Sequence, residues 1–303
     1  MTARTRAALM GAAMGVSLCA GAAVAADERY QAPREIAQIE DARLPEVSGI
    51  VASRKHAGLF YVHNDSGNTP EVFLLDRRGK VRGVVRLIGA PNIDWEDVAL
   101  APHGENAWDV CVADIGDNRR RRADVVVYRF PEPEFDAAGG AIRVRPTAFR
   151  LRYPDGAHNA EALVVDPRSG DGYIITKEET QPARVYRFAA PWRADAAVTL
   201  EHVGELKFPP APPLMTMVTA ADISPDGRRL ATRSYGFGWE WMLPAPGDVR
   251  GLLRSEALLP QRLDLAGELQ GEALAYTADG EALVTISEQL PTALSEVRRT
   301  KTP

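Results

Sequence analysis

Hydrophobic positions along the chain fall in brief apolar runs cut by Gly, Asp and Pro, and helical periodicity is nearly absent. The runs repeat. Five segments pair an acidic or polar residue with a small or apolar stretch: Glu46-Val47-Ser48-Gly49-Ile50, Trp95-Glu96-Asp97-Val98-Ala99, Ala160-Glu161-Ala162-Leu163-Val164, Ala221-Asp222-Ile223-Ser224 and Gly271-Glu272-Ala273-Leu274-Ala275. After a turn rich in Gly, Asp or Pro, each is followed by a second apolar run, at 59–62, 110–113, 173–176, 230–232 and 282–285. Third strands recur as well, with Val126-Val127-Tyr128-Arg129-Phe130 returning as Arg184-Val185-Tyr186-Arg187-Phe188, and fourth strands are expected at 81–87, 147–153 and 203–208. Only 249–254 reads as a helical turn or two.

Units of about fifty to sixty residues, each of about four short strands, describe the blades of an all-β propeller. Five blades are expected, with six as the alternative because the second and third units are long. The last unit lacks a clear fourth strand. The run Glu35-Ile36-Ala37-Gln38-Ile39 precedes the first repeat and would supply it, closing the ring and removing an open sheet edge.

Composition narrows the class. Arg4 and Arg6 precede an apolar stretch over 7–24 that ends Ala23-Val24-Ala25, the small-x-small pattern of a cleaved secretory signal. The expected organisation is a signal peptide over 1–25 and one propeller domain over 26–303, periplasmic or secreted, monomeric and without a membrane span after cleavage. The net charge of −5 and pI near 5.7 argue against nucleic acid as a partner. Of two cysteines only Cys111 would survive cleavage, which excludes an internal disulfide and a thiolate metal cluster; its surroundings read as a strand interior.

The chemistry is expected on the innermost strands, which line a propeller's channel. Aligning apolar residues places Ser48, Glu96, Glu161, Ala221 and Glu272 in one column, with Asp97 and Asp222 in the next. Two carboxylates about 5 Å apart repel by roughly 3 kcal/mol at an effective dielectric of about 20. Such a ring therefore holds protons, holds a cation, or spends its acids on backbone amides of neighbouring blades. A cation held by hard oxygens, without thiolates or clustered histidines, would be Ca²⁺, with Ser48, Glu96, Glu161, Asp222 and Glu272 as candidate ligands.

A second group falls where the second strands end, at one rim of the channel. It comprises His63, Asn64 and Asp65, then Asp94, then Asp114, Asp117 and Asn118, then His158 and Asn159, and finally Lys177, Glu178 and Arg233. Asx-Gly and Asp-Asn pairs are also ordinary turn chemistry, and the histidines could be general bases or simply surface residues. Lys177 and Arg233 are cations facing acids and would balance an anionic group beside a metal. No nucleophile elbow, Walker A loop, dinucleotide fingerprint or His-Glu-x-x-His pair is present. The 119–122 arginine run reads as a solvated loop tip.

The combination of His63-Asn64-Asp65-Ser66-Gly67, Asp94-Trp95-Glu96-Asp97-Val98-Ala99 and Asp114-Ile115-Gly116-Asp117-Asn118 resembles a group of exported bacterial propellers without assigned activity. Ser48-Gly49-Ile50 and the Glu-rich inner strands are similar to the SdiA-regulated periplasmic propellers. More distantly, they resemble the calcium-activated apyrases, five-bladed nucleotidases with one serine or glutamate per blade on a channel calcium. On that resemblance Ser48, Glu96, Glu161 and Glu272 match four of five ligand positions; the fifth falls at Ala221, with Asp222 and Thr219 beside it. Two functions follow as expectations. The first is a calcium-holding propeller that binds a small molecule or glycan at its rim. The second is a calcium-dependent phosphoester or phosphoanhydride hydrolase with Asp65 or Asp114 as base and Lys177 or Arg233 balancing charge. A lyase or glycan-cleaving activity of paired acids is a further alternative.

Overall fold

The computed structural model describes residues 30–135, 140–179, 182–265, 267–268 and 270–300. The expected signal peptide lies outside these residues. Among them no helix is long and apolar enough to cross a membrane.

The chain opens with β1 (Arg34–Ile39) and lays down the first blade as β2 (Val47–Ala52), β3 (Leu59–Asn64), β4 (Glu71–Asp76) and β5 (Val81–Leu87). The second blade is β6 (Trp95–Pro102), β7 (Trp108–Asp114), β8 (Val125–Pro131) and, after an excursion through β9 (Ala141–Val144), β10 (Thr147–Arg152). The third is β11 (Ala160–Val165), β12 (Gly172–Thr176), β13 (Ala183–Phe188) and, past β14 (Val198–Thr199), β15 (Glu201–Leu206). The fourth is β16 (Ala220–Ile223), β17 (Arg229–Arg233), β18 (Gly238–Met242) and, after α1 (Val249–Arg254), β19 (Gln261–Leu263). The fifth is β20 (Gly271–Tyr276), β21 (Ala282–Ser287) and β22 (Thr292–Arg298), and β1 pairs antiparallel with β22 to complete it. The protein is a five-bladed β-propeller closed by its N-terminal strand.

The long second and third units contain no sixth blade. Their extra residues turn back: β9 lies parallel on the outer edge of β5, and β14 lies parallel on the outer edge of β10. Each excursion covers an edge strand of the preceding blade that would otherwise expose unpaired amides and carbonyls.

Sheet faces explain why the strands read as nearly continuous apolar runs rather than alternating ones. Each blade is covered on both sides, and five apolar clusters among the described residues sit one at each blade–blade contact. Val51, Tyr61 and Leu74 of the first blade meet Trp95, Val98 and Phe130 of the second; Ile39 of β1 joins Phe73 and Ala273 where the fifth blade meets the first. Burying a side chain such as Phe73 contributes about 1.5–3 kcal/mol. Cys111 is buried inside β7, as a small apolar residue would be.

Candidate functional site

Four inner strands carry a bulge at the same place. Pairing skips a residue between Val47 and Gly49, Trp95 and Asp97, Ala160 and Ala162, and Gly271 and Ala273. The skipped residues are Ser48, Glu96, Glu161 and Glu272. A bulge leaves one residue outside the ladder and re-aims its side chain, so these four turn together at one end of the channel.

The fourth blade differs. β16 pairs without a bulge, Ala220 with Arg233 and Ala221 with Thr232. Its ring residue is found by counting back from the turn that ends each inner strand. Ser53, Asp166, Ser224 and Thr277 each make the amide-to-carbonyl bond that starts that turn, and five residues upstream lie Ser48, Glu161, Thr219 and Glu272. Thr219 Oγ1 donates to Gly271 O at 2.8 Å, as Ser48 Oγ donates to Glu96 O at 2.8 Å. Thr219 therefore takes the place the apolar alignment gave to Ala221. Asp222 sits three residues deeper, where its Oδ2 accepts from Tyr276 N at 2.8 Å. It lines a small enclosed space at the far end of the channel, away from the acidic mouth. Burial pushes its pKa up to about 7, against the pull of a backbone bond and the Arg54 charge.

A second tier forms where the second strands end. Asp65, Gly116, Lys177 and Glu288 each donate a backbone N–H to the carbonyl of Glu46, Asp94, Asn159 and Gln270 respectively. Asp65 meets the neighbouring blade here: one oxygen each of Asp65, Asp94 and Glu96 lie within 4.8 Å of one another. Gly116 makes this possible, because a Cβ there would collide with Glu96 Oε1 and Asp94 Oδ2. Glu96 is 5% exposed, and among the described residues no lysine or arginine pairs with it, Asp65 or Asp94. Burial first, and then the charges of Glu161, Asp65 and Asp94, push the Glu96 carboxyl well above the usual range. Burial likewise raises Asp65 and Asp94, each with a carboxylate neighbour adding to the effect.

Glu161 lies 2.5 Å from Lys177 Nζ, which also donates to Tyr235 Oη at 2.6 Å. Burial outweighs that pairing and brings Glu161 to about 7. The Lys177 ammonium is burdened by burial, yet Glu161 and Tyr235 raise it above its ordinary value. Glu272 is pushed up to about 9 by burial and by a hydrogen bond shared with Glu288. Acids of the first, second, third and fifth blades thus line the mouth, and Lys177 is paired with one of them, Glu161.

Several rim candidates act as braces. Asn64 Nδ2 donates to Arg43 O and Asn92 Nδ2 to Asp65 O, both at 2.8 Å, which fixes the loop that carries Asp65. Asp117 accepts from the amides of Arg121 and Arg122 at 2.6 and 2.7 Å, which is turn chemistry. Its own amide donates to Asn159 Oδ1, and Asn159 Nδ2 donates to Asn118 Oδ1. Asp114 is fully buried and tied to Arg122 at 2.7 Å, while its backbone neighbour Asp94 donates an amide to the same oxygen. Glu178 pairs with Arg120 at 3.1 Å.

Three further candidates are buried. His63 is 0% exposed, with its ring edge-on to Trp95 and Nδ1 3.1 Å from Asn64 O, and burial brings its pKa down to about 4. His158 is buried against Tyr186 Oη and Asp155 Oδ1, at 2.9 and 3.1 Å. Arg233 is 0% exposed and spans two blades, with Nη1 reaching Ala273 O at 3.0 Å and Glu268 Oε2 at 2.8 Å. It balances no charge at the mouth. Glu288 and Tyr235 belong to the site instead; Glu288 stands at the end of the fifth second strand, the position rule that singled out Asp65 and Lys177.

No family model matches the chain, and no curated protein sequence matches it, so the resemblance to SdiA-regulated and apyrase propellers has no counterpart in these comparisons. Among solved structures the chain is similar to a glutaminyl cyclase of Myxococcus xanthus, at TM-score 0.50 and 12% identity over 89% of this chain and 98% of that one. It is also similar to the WD40 repeats of RRP9, at TM-score 0.42 and 10% identity over 89% and 100%. U3-55K gives TM-score 0.42 and 10% identity over 88% and 98%. At these identities the likeness to the glutaminyl cyclase speaks for the propeller fold alone.

Proposed function

We propose that this propeller is a divalent-cation-dependent binding protein whose cation, calcium by its chemistry, is held at the channel mouth by Asp65, Asp94 and Glu96. The observation that carries the reading is the convergence of these three carboxylates within 4.8 Å, without a basic partner, on loops already fixed by Asn64 and Asn92. Three oxygen ligands with room for carbonyls and water suit a large hard cation. Ser48 and Thr219 already donate to backbone carbonyls, so they act as struts between blades. Glu161 and Glu272 line the same mouth. In the exported setting that the N-terminal segment suggests, an affinity of about 10⁻⁴–10⁻³ M would suffice. The ligand is a small molecule or glycan whose oxygens complete the cation's shell. The groove beside the cluster, of about 440 Å³ and lined by Asn118, Arg120, Asn159 and Lys177, receives the rest of it.

That groove also supports a second reading, a phosphoester or phosphoanhydride hydrolase. Of the cations in that groove, Arg120 is paired with Glu178 and Lys177 with Glu161, which leaves Arg119 to neutralise a phosphate beside the cation. Asp114 is committed to Arg122 and Asp65 to the cation, so in that reading the cation itself would polarise the attacking water.

Thermal melting in EDTA and then in calcium tests the common core. At calcium a hundredfold above Kd the gain is about 2.7 kcal/mol, which for a domain of this size is roughly 5–10 °C. The rise should vanish in Glu96→Gln and Asp94→Asn. A melt indifferent to calcium, in protein that elemental analysis finds free of metal, would sink both readings. Turnover of a nucleotide and phosphoester panel would favour the second.

A further inference from the structure

We propose that the face opposite the acidic mouth carries a second site, one that receives the carboxylate of a small anionic ligand on Arg54 beside Trp108. Inner strands run from the mouth to this face, so Arg54, just beyond β2, and Trp108, at the start of β7, belong to its loops. They border a cavity of about 650 Å³ together with Lys55, His103, Asn106 and Glu132.

Arg54 reaches Ala278 O through Nη1 at 2.7 Å, and its guanidinium lies 5.3 Å from the centre of the Trp108 ring, but its buried Nε has no partner. The carboxylates nearby are occupied. Asp109 accepts from Arg129 at 2.6 Å and lies 2.7 Å from His103 Nδ1, while Glu132 Oε1 accepts from Ser53 Oγ at 2.7 Å and from the Arg54 amide at 3.2 Å. The remaining acid that Arg54 feels is Asp222, across a space of only about 20 Å³ and already bonded to Tyr276 N. Lys55 leans on Glu134, whose side chain is 80% exposed, so that pair is weak. Arg54 is half-buried, its Nη2 has no partner among the described residues, and a carboxylate in the cavity would meet the guanidinium with charge-assisted bonds. The ring of Trp108 supplies an apolar wall for the body of the same ligand. Asn106, held at φ 59, adds an amide on the cavity's edge. This site does not depend on the cation reading and would persist in metal-free protein.

The probe is benzoate, with benzamide as its neutral isostere, titrated into metal-free protein while the indole N–H signal of Trp108, assigned through Trp108→Phe, is followed by NMR. Benzoate should shift that signal with a millimolar Kd, benzamide should bind at least about tenfold more weakly, and Arg54→Gln should lose at least about tenfold. Glu96→Gln at the mouth should leave benzoate binding unchanged. Equal binding of the two probes, no shift at about 50 mM benzoate, or undiminished affinity in Arg54→Gln would overturn the proposal. The benzoate–benzamide comparison decides it on the unaltered protein even where Arg54→Gln fails to fold.

Discussion

Asp222 offers a test of the channel's electrostatics that is independent of any ligand. Asp222 is half-buried at the far end of the channel, where desolvation pushes its carboxyl up to about 7 from an ordinary value of 3.8. Because the folded value is the higher one, its contribution to stability is fully present below pH 4 and is lost as pH rises through 7. The difference, about three pH units at about 1.36 kcal/mol each, amounts to about 4 kcal/mol. Asp222→Asn keeps an oxygen to accept from Tyr276 N but cannot ionise, so it removes this slope. Urea unfolding of both proteins should show the variant gaining on wild type by about 2–3 kcal/mol between pH 5 and pH 8. The comparison cancels the slopes of Glu161, Glu272 and other groups common to both chains. A variant-minus-wild-type difference that stays flat over this range would refute the burial argument, and would mean that Arg54 keeps Asp222 ionised throughout.

Other substitutions probe the rest of the frame. Gly116→Ala should force Glu96 and Asp94 apart and abolish the calcium-dependent rise in melting temperature, while costing about 1–3 kcal/mol by overpacking; a normal calcium response would show that the three carboxylates do not act together. Gly271→Ala drives a methyl into Arg233 Nη2 and should destabilise by about 3 kcal/mol or more in urea, because the displaced guanidinium leaves Glu268 buried without its partner. Removal of residues 30–39 uncovers β22 and should turn a monodisperse protein into an aggregating one in light scattering, whereas an unchanged profile would mean that the fifth blade holds its edge alone.

Much of this architecture is legible in the sequence because a propeller repeats. The acidic or polar first strands and the turns after them recur visibly, and the run 35–39 stands without a partner until the end of the chain is reached. The fourth blade deceives for a physical reason. Ala220-Ala221-Asp222 imitates the motif by apolar count, yet it lacks the bulge that sets the register elsewhere, and only the turn at Ser224 reveals Thr219. The burial of Arg233 and His63 was not readable, since the carbonyls of Ala273 and Ile286 that receive Arg233 lie 40 and 53 residues away on the next blade. Polar residues on a local pattern read as rim residues unless such distant partners are known. The edge strands β9 and β14 escaped for a similar reason, because each pairs with a strand of the blade before it.

The bulges have a consequence for how such a protein can change. A residue that the ladder skips contributes no rung to its sheet, and its neighbours keep their register whatever side chain it bears. Glu96, Glu161 and Glu272 are therefore replaceable parts set into a fixed housing, whereas Ser48 also ties its blade to Glu96 O. New specificities could be installed at the mouth by exchanging those three glutamates, with the packing between blades left untouched.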